Sequence, residues 1–221
     1  MLEQVMNQYN EAIMDTDRDK ALQVVHDAVE LGVTPEEVIF NVVVPAIEMM
    51  MKSVSENQGS SLAQHFMAAQ IASEVVDEMV PKFRQAPDII GRVVIGTPQG
   101  DFHGLGKRIV SGCLKAMMVE VTDLGLNVPA ERFVDEAVAR DAQVIAISAM
   151  MVHTARSPNG CLKVRQILHE RGLEERMRIA VGGAPYRFDP ELYKVVQADA
   201  WAENGIEAGR VISGLIREVL K

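Results

Sequence analysis

Hydrophobic positions recur along this chain with two rhythms, and the rhythm changes near residue 88. Before that point the spacing is helical: Leu2, Val5, Met6, Tyr9 and Ile13 form one stripe, and Ala21, Leu22, Val25, Ala28, Val29 and Leu31 form a second. Gly32 closes the second helix, and Thr34-Pro35-Glu36-Glu37 opens a third. Thr34 suits the N-cap, Pro35 the first turn, and Glu37 the reciprocal bond of a capping box. Val33 and Val38 are spaced to close a hydrophobic staple across that start. The third helix is expected to run to about Asn57, with Val42, Val43, Ile47, Met50, Met51 and Val54 inward and a bend at Pro45. Gly59-Ser60-Ser61 reads as a turn with Ser61 as cap, and a fourth helix is predicted from Leu62 to about Lys82. Four helices joined by short turns make a bundle.

Gln85-Ala86-Pro87-Asp88 reads as a linker, which divides the chain into 1–87 and 88–221. Beyond it, strand and helix patterns alternate. Strands are predicted at Ile89–Gly96, Val119–Asp123, Val144–Ser148, Arg178–Gly182 and Ala200–Trp201. Helices are predicted at 107–118, 130–140, 158–171, 190–197 and 206–220, with Pro129 and Pro190 in first turns and Asp189 as a cap. The fold class is therefore α/β: a helical bundle followed by a Rossmann-like, flavodoxin-like domain with a five-stranded parallel sheet covered on both faces. In such sheets ligands bind outside the C-terminal strand ends.

Composition narrows the partners. A formal charge of −9 argues against nucleic acid as a direct partner, because phosphate binding needs a net basic face. No apolar run is long enough to span a bilayer, and Met1-Leu2-Glu3-Gln4 is not the start of a signal peptide, so no membrane association is expected. Cys113 and Cys161 are the only cysteines and both fall in predicted helices, which fits reduced thiols in a cytoplasmic protein.

Candidate chemistry gathers in the loop that leaves the first strand, Gly100-Asp101-Phe102-His103-Gly104-Leu105-Gly106. A carboxylate two residues before an imidazole can accept its Nδ1 proton and leave Nε2 free for a metal. A nucleotide-phosphate loop is excluded: five residues rather than four separate Gly100 from Gly106, and Arg108 follows Lys107 where Ser or Thr is needed. A dinucleotide fingerprint fails because Ile109 stands where its third glycine belongs. On the loop alone, a surface histidine near a helix start is an equal reading.

Three further strand ends change that balance. Ser148-Ala149-Met150-Met151-Val152-His153-Thr154 follows the third strand, Gly182-Gly183-Ala184-Pro185 the fourth, and Trp201-Ala202-Glu203-Asn204 the fifth. Hydroxyls, paired glycines and an aromatic ring at adjacent strand ends would line a deep slot, and bare glycine backbone admits a flat aromatic group. Together with Asp101-x-His103-x-x-Gly106, these loops resemble the cobalamin-binding domain shared by cobalamin-dependent methionine synthase, corrinoid proteins of methyltransferase systems and some coenzyme-B12-dependent mutases. The resemblance spans 89–221, and the helical segment before it looks like the cap domain of the methyltransferase branch.

The resemblance implies a cobalamin, methylcobalamin or a related corrinoid, as cofactor. It makes His103 the lower axial cobalt ligand and Asp101 its hydrogen-bonded carboxylate, with Phe102, Gly104 and Gly106 completing the loop. Thr154 matches the hydroxyl of the relay to that carboxylate, and Ser148 the serine that bonds the displaced nucleotide base. Met150 stands where the family usually has Leu, Gly182 and Gly183 match the glycine pair beside the nucleotide tail, and Trp201 falls near a position often held by Tyr. Val152 departs from the pattern, since many members carry a second hydroxyl there. The implied function is a methyl carrier cycling between cob(I)alamin and methylcob(III)alamin, catalytically incomplete alone. The implied partners are a substrate-specific methyltransferase and a second methyltransferase, with a place left for a reductive reactivation protein.

In the cap branch the start of the fourth helix covers the cofactor's upper face. Corrinoid carriers often show Pro-Glu where this chain has Ala63-Gln64, and a related light-sensing group has Glu-His where it has Gln64-His65. His65 is therefore a candidate for the upper face beside its plainer reading as a half-exposed helix residue, and a cobalamin sensor signalling through the cap is the alternative function. Met50, Met51 and Met67 are candidate pocket residues whose plainer reading is ordinary core. His26 and His169 read as exposed helix positions, and His153 as a weaker cofactor candidate than Thr154.

Overall fold

The helical pattern of the first third is realised as α1 (Leu2–Met14), α2 (Arg18–Glu30), α3 (Pro35–Val38), α4 (Val44–Ser55) and α5 (Leu62–Met79). The structure, a computed structural model, describes residues 1–55, 62–83 and 89–221, with the side chains at 48, 51–55, 62, 65, 66 and 206 outside the described set. The chain divides into two compact units, Met1–Asp88 with Lys115–Met118, and Ile89–Leu114 with Val119–Lys221. The turn expected at Gly59–Ser61 and the linker expected at Gln85–Asp88 lie outside the described residues.

In the first unit, Tyr9, Ile13, Val25, Ile47, Ile71 and Val75 are buried. Met50 is also a buried core residue, and Met67 is exposed. Thr34 starts α3 with a complete capping box: the Glu37 N–H donates to Thr34 Oγ1 at 3.2 Å and the Thr34 N–H donates to Glu37 Oε2 at 2.9 Å. The helix expected across Pro45 is not uniform. The five residues before α4, Ile39–Val43, form a π turn in which the Val44 N–H reaches the Ile39 carbonyl. Proline has no N–H for the carbonyl four residues back and crowds it, and one wide turn relieves that conflict.

The second unit contains β1 (Gly91–Pro98), α6 (Leu105–Ala116), β2 (Val119–Val128), α7 (Ala130–Ala139), β3 (Val144–Ser148), α8 (Val152–Ala155), α9 (Cys161–Glu170), β4 (Arg178–Gly182), α10 (Ala184–Phe188), α11 (Leu192–Val195), β5 (Ala200–Ala202) and α12 (Gly205–Val219). The strands form one parallel sheet in the order β2-β1-β3-β4-β5. Alternate residues feed two apolar layers. Val94, Ile145, Ile147, Ile179 and Val181 pack with Phe133 of α7, Leu168 of α9 and Tyr186 of α10. Val93, Ile95, Val144, Ala146, Ala180 and Ala202 pack with Leu114 of α6 and Ile212 and Ile216 of α12. The connections after β1 and β3 depart to opposite sides of the sheet, so a crevice opens between their C-terminal ends.

Three local expectations change. β1 begins at Gly91, because Ile89 and Ile90 precede its first pairing with β2. β2 runs five residues past Asp123, since an edge strand absorbs the turn-like Gly125 and Asn127 through register shifts. Asp189 does not cap the helix after it: it terminates α10 and pairs with Arg156 at 3.0 Å, while Glu191 precedes α11. Among the described residues no helix is long and apolar enough to cross a membrane. Cys113 and Cys161 are free, and burial pushes both thiols up to about 12.

Candidate functional site

The loop after β1 turns sharply at Gly100, whose φ of +85° suits glycine. The turn closes with the Asp101 N–H donating to the Pro98 carbonyl at 2.9 Å, and it carries Asp101 into the interior with no exposed surface. One oxygen of that carboxylate, Oδ1, accepts the His103 N–H at 3.0 Å and lies 2.9 Å from His103 Nδ1. The other, Oδ2, accepts the Thr154 hydroxyl at 2.8 Å and the Met150 N–H at 2.8 Å. Burial raises the carboxyl's pKa, but the bonds from the His103 and Met150 N–H groups, the Thr154 hydroxyl and the imidazole outweigh it and hold the group at about 2.

An ionised Asp101 settles the imidazole tautomer. An acceptor-only carboxylate requires Nδ1 to carry the proton, which leaves Nε2 as the ring nitrogen open to a metal. The His103 side chain is 54% exposed, and among the described residues Nε2 has no hydrogen-bond partner. Chemically this is a nitrogen donor whose ring is held in a fixed plane.

The ends of β3 and β4 add a second group of sites. Ser148 pairs with Gly182 in register, and the Ala149 N–H donates to the Gly182 carbonyl at 3.0 Å. Ser148 Oγ lies 3.2 Å from where a Cβ on Gly106 would stand, and it too has no hydrogen-bond partner among the described residues. Gly183 has φ +113°, and a Cβ there would stand 1.9 Å from the Ala149 carbonyl oxygen, so only glycine fits. Gly106, Ser148, Gly182 and Ala202 thus share the side of the sheet that carries α6 and α12.

Trp201 does not join them. It pairs with Val181 and packs against the other apolar layer, the one carrying α7 and α9. In a parallel sheet Val181 and Trp201 point to the face opposite Gly182 and Ala202. Ala202, not Trp201, therefore lies on the face that carries Gly182. Met150 departs in another way: it is 51% exposed, and its main-chain N–H is what engages Asp101.

Phe102, Leu105 and Val152 are exposed apolar neighbours in sequence of these groups, and Gly104 lies against Leu126. His153 is exposed. His65 falls within α5, with its side chain outside the described set, while Gln64 donates to the Met14 carbonyl at 3.4 Å. His26 is half-buried and bonds Glu78 at 3.0 Å, and His169 bonds Glu174 at 2.8 Å, so each is engaged by a carboxylate away from the His103 loop. Sequence reasoning missed Thr97, Asn127 and the Lys107–Asp123 pair. The available signal was Asn127 itself, a residue type that tolerates left-handed backbone.

Residues 91–209 match the family model of the B12 binding domain, and residues 5–79 match a second B12 binding domain model. The chain is 33% identical over 193 residues to trimethylamine corrinoid protein 1 of Methanosarcina acetivorans, covering 85% of this chain and 86% of that protein. This chain belongs to the family of corrinoid proteins with B12-binding domains. A dimethylamine corrinoid protein from Methanosarcina mazei is likewise 33% identical over 210 residues, covering 93% of each chain. The corrinoid-protein fold extends to solved structures. A cobalamin-binding protein from Desulfitobacterium hafniense superposes with TM-score 0.73 at 20% identity, covering 95% of this chain and 98% of that one. The methanol:cobalamin methyltransferase complex MtaBC of Methanosarcina barkeri gives TM-score 0.79 at 22% identity, covering 97% of this chain and 80% of that one. The cofactor of this corrinoid protein is accordingly a cobalamin or related corrinoid.

Proposed function

We propose that this corrinoid protein carries a methyl group on cobalt for a methyltransferase system, with His103 as the lower axial ligand. The observation that carries the reading is the His103 imidazole, tied at Nδ1 to a buried, ionised Asp101 and free at Nε2. The residues present fit a corrinoid. A half-exposed nitrogen donor stands at the strand ends, a hydroxyl without a protein partner lies at Ser148, and Gly182-Gly183 offers backbone without side chains.

When bound, the corrin supplies the methyl-transfer chemistry, cobalt alternating between the cob(I)alamin nucleophile and methylcob(III)alamin. The chain's residues hold and tune it. Asp101 fixes the tautomer of His103 and strengthens its donor nitrogen, and Thr154 with the Met150 N–H keeps Asp101 in place. Ser148 is assigned the displaced nucleotide base, and Gly182 and Gly183 the bare wall beside the tail, with Phe102, Gly104, Gly106 and Met150 framing the loop. Trp201 receives no role, since it faces the opposite layer.

The partners follow from the relatives. Proteins of this family are named for trimethylamine and dimethylamine, and one solved structure is a methanol:cobalamin methyltransferase complex. The reading therefore assigns one methyltransferase that charges the cobalt from a methylated amine or methanol. A second methyltransferase removes the methyl group, and a reductive protein restores cobalt that has become oxidised.

The test is to load the protein with hydroxocobalamin, reduce it to cobalt(I), and add a methyltransferase encoded beside it together with a methylamine or methanol. The expected result is conversion of the cobalt(I) absorption spectrum to that of methylcobalt(III). Failure to retain any corrin, or retention with no methylation from any of these donors, contradicts the reading.

A further inference from the structure

The second half of β2 departs from regular pairing where it passes the His103 loop. From Gly91↔Val119 to Ile95↔Asp123 it runs in straight register with β1, and two register shifts follow. Gly125 and Asn127 take positive φ, +93° and +54°. Such bulges re-aim side chains and bend a strand's edge. Here they bring the stretch against the loop at its start, its middle and its exit.

At the start, the buried Thr97 hydroxyl donates to the Asp101 carbonyl at 2.6 Å, and the Asn127 N–H reaches that same carbonyl at 3.0 Å. The Asn127 side chain accepts the Gly100 N–H through Oδ1 at 2.8 Å. In the middle, Leu126 Cδ2 lies 3.2 Å from where a Cβ on Gly104 would stand. At the exit, Lys107 in the first turn of α6 is only 4% exposed and its Nζ bonds both carboxylate oxygens of Asp123. Asp123 is itself fixed by the Gly125 N–H at 2.8 Å. None of these groups touches the Asp101 carboxylate, which is held from β3's side by Thr154 and Met150.

We propose that Thr97 and the β2 segment 123–127 form a bracket of positioning residues that holds the His103 loop in its cobalt-ligating geometry. Asp101 aims the imidazole only as well as Asp101 is itself held, and these residues hold its main chain. A donor atom misplaced by about 1 Å loses most of its bonding to a metal or reacting centre. The inference rests on the reading of His103 as axial ligand and adds to it what sets the ligand's position.

The experiment uses the full chain, labelled with 15N-histidine, loaded with cobalamin and reduced to cobalt(II). Paramagnetic resonance gives the ratio of histidine-ligated to unligated cobalt. Thr97→Val removes the hydroxyl at constant shape, and Asn127→Gly removes the side-chain acceptor while keeping left-handed backbone accessible. Each is expected to lower the ratio about tenfold, the scale of one lost buried hydrogen bond. Thr97→Ser and Asn127→Asp restore the bonding groups and should stay within about twofold of the wild type. In the cofactor-free protein, amide exchange at 100–104 should quicken about tenfold in the first two variants only. Leu168→Ala, in the layer on the other face, controls for general destabilisation and should lower the unfolding midpoint without moving the ratio. If Thr97→Val does not fold, the Asn127 pair decides. Wild-type histidine splitting that persists unchanged in the bracket variants overturns the bracket. A wild-type spectrum with no histidine splitting overturns the axial-ligand reading instead.

Discussion

The two units of this chain bury different things. The helical unit hides apolar side chains and, at Tyr9, one phenol whose hydroxyl has no partner among the described residues. The α/β unit holds all six of the buried polar or charged residues among those described: Thr97, Asp101, Lys107, Gln143, Thr154 and Ser213. Four of the six, Thr97, Asp101, Lys107 and Thr154, converge on the loop that carries His103. Burying polar groups costs stability unless each is bonded, so a fold concentrates them where geometry must be fixed. A helical unit stabilised by apolar area tolerates small shifts. A loop stabilised by directed bonds does not.

The sharpest way to break this contrast is Asp101→Ala. The N–H groups of His103 and Met150 and the Thr154 hydroxyl then lose their shared acceptor in a buried site. The expected cost is about 3–5 kcal/mol in denaturant unfolding, together with loss of retained corrinoid. A cost below about 1 kcal/mol would show that the carboxylate is not the anchor.

Thr34→Ala makes the reverse test in the helical unit. Removing the cap should cost about 1 kcal/mol, by the same measurement, and leave corrinoid retention unchanged. Equal loss of cofactor in this variant would erase the division between a packing unit and a directed-bond unit.

The subtlest test is pH. Asp101 is held at about 2 against an ordinary value of 3.8, so its stabilising contribution is complete above about pH 4 and is lost as pH falls toward 2. In that window the unfolded chain binds more protons than the folded one, and stability rises with pH. The cofactor-free wild type should therefore show a steeper rise in unfolding free energy between pH 2 and 4 than Asp101→Asn, which lacks the titrating group. Identical slopes would place the dependence on other carboxylates.

Much of this organisation was legible in the residues. β3 and β4 fall at Val144–Ser148 and Arg178–Gly182, as their apolar runs predict, because strands buried on both faces leave little choice of register. The Asp101–His103 contact follows from a spacing of two in a tight loop. What escaped was either phase or main chain. β5 is three residues long, too short for alternation to say which face Trp201 takes. The β2 extension contains Gly125 and Asn127, residue types that are poor strand formers, so the strand pattern stops at Asp123 although pairing with β1 runs past it. The Met150 N–H leaves no mark in a side-chain pattern, and the π turn before Pro45 is one of several ways a helix accommodates proline.

The most direct test of the account is the paramagnetic resonance of the cobalt(II) protein carrying 15N in histidine alone. An axial His103 nitrogen of spin one-half splits each cobalt line in two, and His103→Ala should abolish that doublet. A triplet from unlabelled nitrogen, or a doublet that survives His103→Ala, would contradict it.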